Sequence, residues 1–155
     1  MATEIERKFL VINDQWRAQA VRSESYQQGY LNTAERCSVR IRIAGEHAFL
    51  NIKSATLGIR RLEFEYSIPV ADARQMMQQF CRDRSLSKRR YFVPCGRHTW
   101  EIDVFEGANA GLVVAEIELG DEQEPFTRPS WLGDEVSDDP RYYNVCLIEK
   151  PYSQW

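Results

Sequence analysis

The chain has 155 residues, of which 43% are hydrophobic and 28% are charged, so it carries enough apolar side chains for one core and is not a disordered tail. Twenty Lys and Arg against 23 Asp and Glu give a net charge of −3. This balance argues against a nucleic-acid coat protein, which is usually basic. We expect a single domain over residues 1–155.

Most of the chain alternates apolar and polar residues with a period of two, which predicts β-strands. Turn signals separate these segments; Gly45-Glu46, for example, marks a tight hairpin. Eight strands with short connections are typical of an antiparallel sheet or barrel. The predicted strands are 3–12, 25–32, 36–44, 47–54, 59–68, 86–93, 98–106 and 112–119.

Four stretches differ from this alternation. Residues 14–22 predict a short helix, and residues 69–82 predict an amphipathic helix that begins at Pro69. Residues 120–140 contain three prolines and predict loops, and a last helix is expected over about 140–149.

In seven of the eight predicted strands, the polar face carries full charges. Side chains alternate in direction along a strand, so the charged residues of each segment point to one side. The opposite faces are apolar and need cover, which the 69–82 and C-terminal helices could provide. Eight carboxylates and seven cations share the charged side: Glu4, Glu6, Lys8, Arg40, Arg42, Lys53, Arg61, Glu63, Glu65, Lys88, Arg90, Glu101, Asp103, Glu116 and Glu118.

If the apolar faces point outward under helices, the charged faces line the inside of a closed barrel. An open sheet with solvated faces and cross-strand ion pairs would show the same alternation in any one strand. Seven strands that follow one rule favour the charged lumen. Burying so many ions is costly unless they are paired, and Arg and Lys suit a chain of phosphates, whereas carboxylates suit divalent cations.

The same residues carry a resemblance to a known family. Glu4-Ile5-Glu6-Arg7-Lys8 matches the ExExK motif in the first strand of the CYTH, or triphosphate tunnel metalloenzyme, superfamily. The remaining charged pairs follow in the order of that family over residues 4–118. The chain is most similar to the short bacterial members, which are inorganic triphosphatases. The resemblance implies a mainly β fold, an eight-stranded antiparallel closed barrel with a charged lumen and a few covering helices.

The resemblance also implies roles for individual residues. Lys8, Arg40, Arg42, Lys53, Arg61 and Arg90 would bind phosphate oxygens. Glu4, Glu6, Glu116 and Glu118 would surround the metals, with Glu63, Glu65, Glu101 and Asp103 as further metal-site candidates. Tyr30 and Lys88 would act beside the terminal phosphate, and a metal held by Glu116 and Glu118 would activate a water. The C-terminal helix resembles the segment that plugs one mouth of the tunnel.

The predicted function is metal-dependent hydrolysis of inorganic tripolyphosphate to phosphate and pyrophosphate. A class IV adenylate cyclase, a thiamine triphosphatase and a non-catalytic polyphosphate-binding module remain alternatives. The two histidines and four cysteines form no zinc-type cluster, so we expect Mg²⁺ or Mn²⁺ held by oxygen.

The expected partner is a small-molecule triphosphate, without nucleic acid or membrane contact, and a homodimer is left open. The sequence shows neither a signal-peptide pattern nor an apolar run long enough to cross a membrane. We therefore expect a cytoplasmic protein with reduced thiols.

Overall fold

The alternating segments form antiparallel strands in the computed structural model, which describes residues 2–32 and 35–155. Each predicted strand is present to within three residues at either end. The strands are β1 Thr3–Val11, β2 Arg22–Tyr30, β3 Cys37–Ala44, β4 His47–Ser54, β5 Arg60–Ile68, β6 Ser85–Cys95, β7 His98–Phe105, β8 Val113–Leu119 and β9 Leu132–Glu135. The α-helices are α1 Val70–Phe80 and α2 Asn144–Glu149.

The strands close into a barrel. Around the barrel the order is β5-β4-β3-β2-β6-β7-β8-β1, and pairing of β5 with β1 completes the ring of eight. All pairings are antiparallel, and β9 is an additional strand on β1. The closed eight-stranded barrel expected from the sequence is therefore confirmed.

Tight turns set the register of the hairpins. Ala44 pairs with His47 across the predicted Gly45-Glu46 turn, and Gly45 has a φ of 61°, a conformation that glycine adopts without steric cost. Since a shift by one residue would exchange the two faces of a strand, this turn helps to keep Arg40 and Arg42 on the inner side.

The outward faces are apolar and covered in two places. Phe9, Trp100 and their neighbours on β1, β6, β7 and β8 pack against Trp16 and Trp131. Ile41 and Ala48 of β3 and β4 pack against α1. The 69–82 helix thus covers the barrel as expected, but the other cover comes from a 3₁₀ turn and from the 120–135 segment rather than from the C-terminal helix.

The C-terminal helix instead seals one end of the barrel. Four apolar residues each stand two positions from a charged residue of the selected set on the same strand. Their side chains therefore point inward as well. They are Leu10, Leu86, Phe105 and Val114. These residues pack with Tyr142 and Leu147, and Leu147 is only 1% exposed. This end is closed by apolar side chains, whereas Glu65 and Glu118 are exposed at the opposite end.

Three sequence expectations are corrected. The predicted helix over 14–22 is a 3₁₀ turn at Gln15–Gln19, and the last helix is divided into a 3₁₀ turn at Pro140–Tyr142 and α2. The loop-rich stretch 120–140 contains β9, where Phe9 pairs with Glu135. The four residues of β9 do not alternate, so this strand is selected by the end of β1 that β5, paired only with residues 3–5, leaves available. Within the described ranges, no helix is long and apolar enough to cross a membrane.

Candidate active site

The barrel encloses a cavity of about 340 Å³ with an almost entirely polar wall. Seven carboxylates and seven cations line it, together with Tyr26, Tyr30, Ser38, Tyr143, Asn144 and Val145. Fourteen of the fifteen charged residues selected from the sequence are in this wall: Glu4, Glu6, Lys8, Arg40, Arg42, Lys53, Arg61, Glu63, Glu65, Lys88, Arg90, Glu101, Glu116 and Glu118. The fifteenth, Asp103, is not.

The charges are sorted around the ring. The four consecutive strands β4, β3, β2 and β6 contribute only cations among their charged wall residues: Lys53, Arg40, Arg42, Lys88 and Arg90. The other four strands, β7, β8, β1 and β5, contribute all seven carboxylates together with Lys8 and Arg61. The cavity therefore has a basic wall that faces an acidic wall. A polyanion would lie against the first and divalent cations against the second.

Arg40 is the cation with the weakest compensation. Its side chain is only 8% exposed, and its Nε donates a hydrogen bond of 3.4 Å to Asn51. Among residues 2–32 and 35–155 it forms no ion pair. Because a buried charge without a partner is costly, an anion in the cavity would stabilise this guanidinium.

The deep part of the cavity is tightly paired. Lys8 Nζ lies 2.7 Å from Glu116 Oε1, and Arg90 lies 3.3 Å from the other oxygen of Glu116. Burial alone would raise the pKa of Glu116, but Lys8 and Arg90 hold it well below its usual range. Burial would also lower the pKa of Lys8, but Glu116 and Glu6 raise it. Both groups therefore stay charged at neutral pH.

Asp103 is a buried counter-ion in the structure, and its sequence-based assignment to the metal set stays a prediction. Its side chain is 0% exposed and accepts hydrogen bonds from Arg90 Nε at 2.8 Å and from Lys88 Nζ at 2.7 Å. Although burial would raise its pKa, Arg90 and Lys88 lower it. Both oxygens are used, so Asp103 holds two wall cations in place and has no oxygen that faces the cavity.

The carboxylates at the acidic wall crowd one another. Glu6 lies opposite Glu118 in the β1–β8 ladder, where like charges are destabilising. Burial, and then Glu116, raise the pKa of Glu6; burial, Glu4 and Glu6 raise the pKa of Glu118. In addition, Glu4 Oε2 is buried and accepts no hydrogen bond. Glu4 and Glu6 also lie 3.3 Å from Lys53 Nζ and from Lys8 Nζ, respectively. Crowded hard oxygen donors of this kind fit a divalent cation such as Mg²⁺ or Mn²⁺.

The remaining metal-site candidates already have cationic partners. Glu63 lies 2.8 Å from Lys53, Glu65 lies 3.1 Å from Arg42, and Glu101 lies 2.8 Å from Arg90. Within the part of the chain that the structure describes, no three His, Cys, Asp or Glu side chains converge into a group that could already hold an ion. Glu4 and Glu6 are paired as well, with Lys53 and Lys8. Glu118 forms no ion pair among the described residues, and burial together with Glu4 and Glu6 raises its pKa, so a metal would bind first beside Glu118.

Lys88 and Tyr30 are both in the cavity wall, but the strand register separates them. Lys88 lies opposite Tyr26, whereas Tyr30 is four residues further along β2, opposite Arg40. The direct neighbour of Lys88 is thus a tyrosine that the sequence analysis did not select. Tyr26 and Tyr30 are four residues apart on the same face of β2, so the sequence pattern that selected Tyr30 could also have selected Tyr26. The ring of Tyr26 lies 5.1 Å from the guanidinium carbons of both Arg42 and Arg90.

Asn144 is the other residue that sequence reasoning missed. Its Oδ1 accepts hydrogen bonds from Lys88 Nζ at 2.7 Å and from Gln28 Nε2 at 2.9 Å. Burial lowers the pKa of Lys88 to about 7, although Asp103 opposes this shift. No strand pattern could reveal Asn144, because it reaches the cavity only through the packing of α2 into the barrel end.

Comparison with known proteins agrees with this geometry. The sequence-family model of the CYTH domain matches residues 2–143. The chain belongs to the CYTH family. The CYTH chain is 42% identical to an inorganic triphosphatase of Acetivibrio thermocellus over 155 residues, which is 100% of this chain and 99% of that protein. It is 35% identical to an inorganic triphosphatase of Nitrosomonas europaea over 150 residues, with coverage of 94% and 96%.

A solved CYTH structure is similar over nearly the whole length. The crystal structure of the inorganic triphosphatase NE1496 aligns with a TM-score of 0.69 and 33% sequence identity, and it covers 96% of this chain and 95% of that chain. The aligned part therefore extends beyond the eight barrel strands.

Proposed function

We propose that the protein hydrolyses inorganic tripolyphosphate to phosphate and pyrophosphate with the help of a divalent metal ion. The sorting of the lumen into a basic wall and an acidic wall is the observation that carries this proposal. The names of the two curated relatives, both inorganic triphosphatases, support the choice of substrate. Phosphoryl transfer needs positioning and charge neutralisation more than a covalent nucleophile, and this cavity offers both.

We propose Glu4, Glu6 and Glu118 as the residues that hold the metal, joined by Glu116 if its bond to Lys8 is exchanged. Mg²⁺ or Mn²⁺, when bound there, would offset the negative charge of the phosphate chain and polarise the phosphorus to be attacked. The sequence-based assignment of Glu63, Glu65 and Glu101 to the metal set stays a prediction, with a cation as the present partner of each.

The basic wall binds and orients the substrate. Arg40, Arg42 and Lys53 donate to phosphate oxygens along β3 and β4, and Arg90 adds a guanidinium from β6. Since the pKa of Lys88 is about 7, its Nζ can release a proton to a phosphate oxygen and regain it near neutral pH. Tyr30 lies deeper in the same wall as a hydroxyl donor. The apolar seal behind them limits water to the open end.

Binding of the polyanion is expected to raise the melting temperature more for tripolyphosphate than for phosphate. A ligand at a hundredfold excess over Kd stabilises the folded state by about 2.7 kcal/mol, or roughly 5–10 °C for a chain of this size. Thermal unfolding without metal, which limits hydrolysis, measures the shift. Arg40→Ala is expected to remove most of it and to leave the ligand-free melting temperature nearly unchanged, because Arg40 forms no ion pair within the described residues.

Arg74→Ala is the matched control, since Arg74 is exposed on α1, outside the barrel. This variant is expected to shift with tripolyphosphate as the wild type does. An equal shift with phosphate and tripolyphosphate, or a full shift in Arg40→Ala, would contradict a triphosphate-shaped site. A shift in the wild type without metal-dependent turnover would instead favour the non-catalytic binding module.

Substrate choice is expected to favour the inorganic chain over nucleotides. The cavity wall holds Tyr26, Tyr30 and Tyr143 as its aromatic residues, and α2 closes one end, so a base and ribose would have to remain at the open mouth. We expect kcat/KM for tripolyphosphate to exceed that for ATP by at least about tenfold, which is about 1.4 kcal/mol. Phosphate release from tripolyphosphate, ATP and thiamine triphosphate measures this ratio. Cyclic AMP among the products of ATP would support the cyclase instead.

We propose a cytoplasmic location and a homodimer as further properties. Cys37, Cys81, Cys95 and Cys146 are unpaired thiols, as is usual in a reducing compartment. Leu62, Phe64 and Tyr66 form an exposed apolar stripe on the outer face of β5, which a second copy of the chain could cover. Sedimentation analysis would test the dimer.

A further inference from the structure

We propose that Asn144 contacts the substrate, with its side-chain NH₂ donating to a phosphate oxygen at the closed end of the cavity while its carbonyl oxygen orients Lys88. This inference rests on the proposed function and adds a positioning and binding residue from the C-terminal segment. It makes α2 a part of the substrate site as well as a seal.

The side-chain amide of Asn144 has a defined orientation. The Asn144 atom 2.7 Å from Lys88 Nζ is Oδ1, an orientation that suits the protonated, donating form of the lysine. Gln28 Nε2 donates to the same oxygen at 2.9 Å. The carbonyl is thus shared by two buried donors, since Lys88 is 1% exposed and Gln28 is 0% exposed.

The NH₂ group is then left without a partner. Asn144 lies in the cavity wall, and its Nδ2 has no acceptor among residues 2–32 and 35–155. Leu147, one turn along the same face of α2, packs into the apolar seal, whose side chains offer no acceptor. An acceptor for the two N–H groups can therefore come only from the cavity, and a phosphate oxygen held by Lys88 would be such an acceptor.

The start of α2 is fixed by neighbouring bonds, so Asn144 cannot move away freely. The hydroxyl of Tyr143 donates to the Ser137 carbonyl oxygen at 2.7 Å and accepts from the Gly58 backbone N–H at 3.2 Å. Preorganised donors of this kind bind without a large cost in side-chain entropy.

Asn144→Asp tests the contact directly. The new carboxylate keeps an acceptor for Lys88 and Gln28 but replaces the NH₂ with an anionic oxygen. We expect KM for tripolyphosphate to rise at least about tenfold, equivalent to about 1.4 kcal/mol, and the tripolyphosphate-induced melting shift to shrink. Asn109→Asp is the matched control, because Asn109 is also buried and bonds the C-terminal segment through Tyr152 N, but lies outside the cavity wall. Its KM is expected to stay within about twofold of the wild type.

Asn144→Leu shows whether an effect of Asn144→Asp comes from the lost NH₂ donor or from repulsion by the added charge. It also serves as the test if Asn144→Asp does not fold. It removes both the NH₂ and the acceptor without adding charge, so KM is expected to rise and kcat to fall, since Lys88 loses an orienting bond. A wild-type KM in Asn144→Leu overturns the inference, even if Asn144→Asp is impaired. If the wild type neither binds nor hydrolyses tripolyphosphate, the proposed function itself has failed, which is a distinct result.

Discussion

Hydrolysis of tripolyphosphate is expected to fall at least about 100-fold in excess EDTA and to recover when Mg²⁺ or Mn²⁺ is restored. The acidic wall explains why: Glu6 and Glu118 face each other and repel unless a cation lies between them. Phosphate release before and after chelation measures the loss. Zn²⁺ is expected to restore less activity, because the wall offers oxygen ligands without histidine or cysteine.

The Glu118→Gln variant tests whether the metal requirement comes from the acidic wall. The change keeps the shape of the side chain and removes its charge, so the Mg²⁺ concentration for half-maximal activity is expected to rise at least about tenfold. Glu122→Gln is the same change at an exposed residue that pairs with Arg60, outside the cavity, and is expected to behave as the wild type. Full turnover in chelator, or an unchanged metal requirement in Glu118→Gln, would refute the assignment.

Asp103→Asn is expected to cause the largest loss of stability. The change leaves Lys88 and Arg90 buried with their shared counter-ion removed, and breaking such a buried pair costs about 3–5 kcal/mol. For a chain of this size the melting temperature would fall by about 6–20 °C. Thermal or chemical unfolding of the ligand-free protein measures this loss.

Asp14→Asn is the matched control for that experiment. Asp14 is 80% exposed and lies 3.8 Å from Arg17, so its removal is expected to change stability by less than about 0.5 kcal/mol. If Asp103→Asn keeps its stability but requires more Mg²⁺, Asp103 is a metal ligand as the sequence first suggested, and its role as a counter-ion is wrong.

The sequence predicts the barrel well because two independent periodicities agree. Charged residues alternate with apolar ones on seven strands, and the apolar faces match the clusters that α1 and Trp131 cover. The ordered set of charged residues from Glu4 to Glu118 also indicates which face of each strand points into the lumen. Alternation shows which face a side chain is on, however, and does not show how far it reaches. Glu101 and Asp103 share one face, yet the first lines the cavity and the second is buried behind it.

Residues that act through tertiary packing could not be predicted in this way. β9 is a strand because the end of β1 is not paired with β5 and is available to it, whereas its own four residues have no strand pattern. Asn144 is close to Lys88 only because Leu147 and Tyr142 anchor the C-terminal segment against Phe105 and Leu86. Tyr26 is an exception, since its position on the same face as Tyr30 was visible in the sequence.

The apolar seal at the α2 end has a consequence for the order of events during turnover. A cavity that is closed at one end has one opening, so substrate and both products must pass through that opening. If the proposed contacts hold, the fragment beside Asn144 and Lys88 would remain in the cavity until the fragment nearer the mouth has left. Longer phosphate chains would likewise have to enter end-first and would be shortened from that end only.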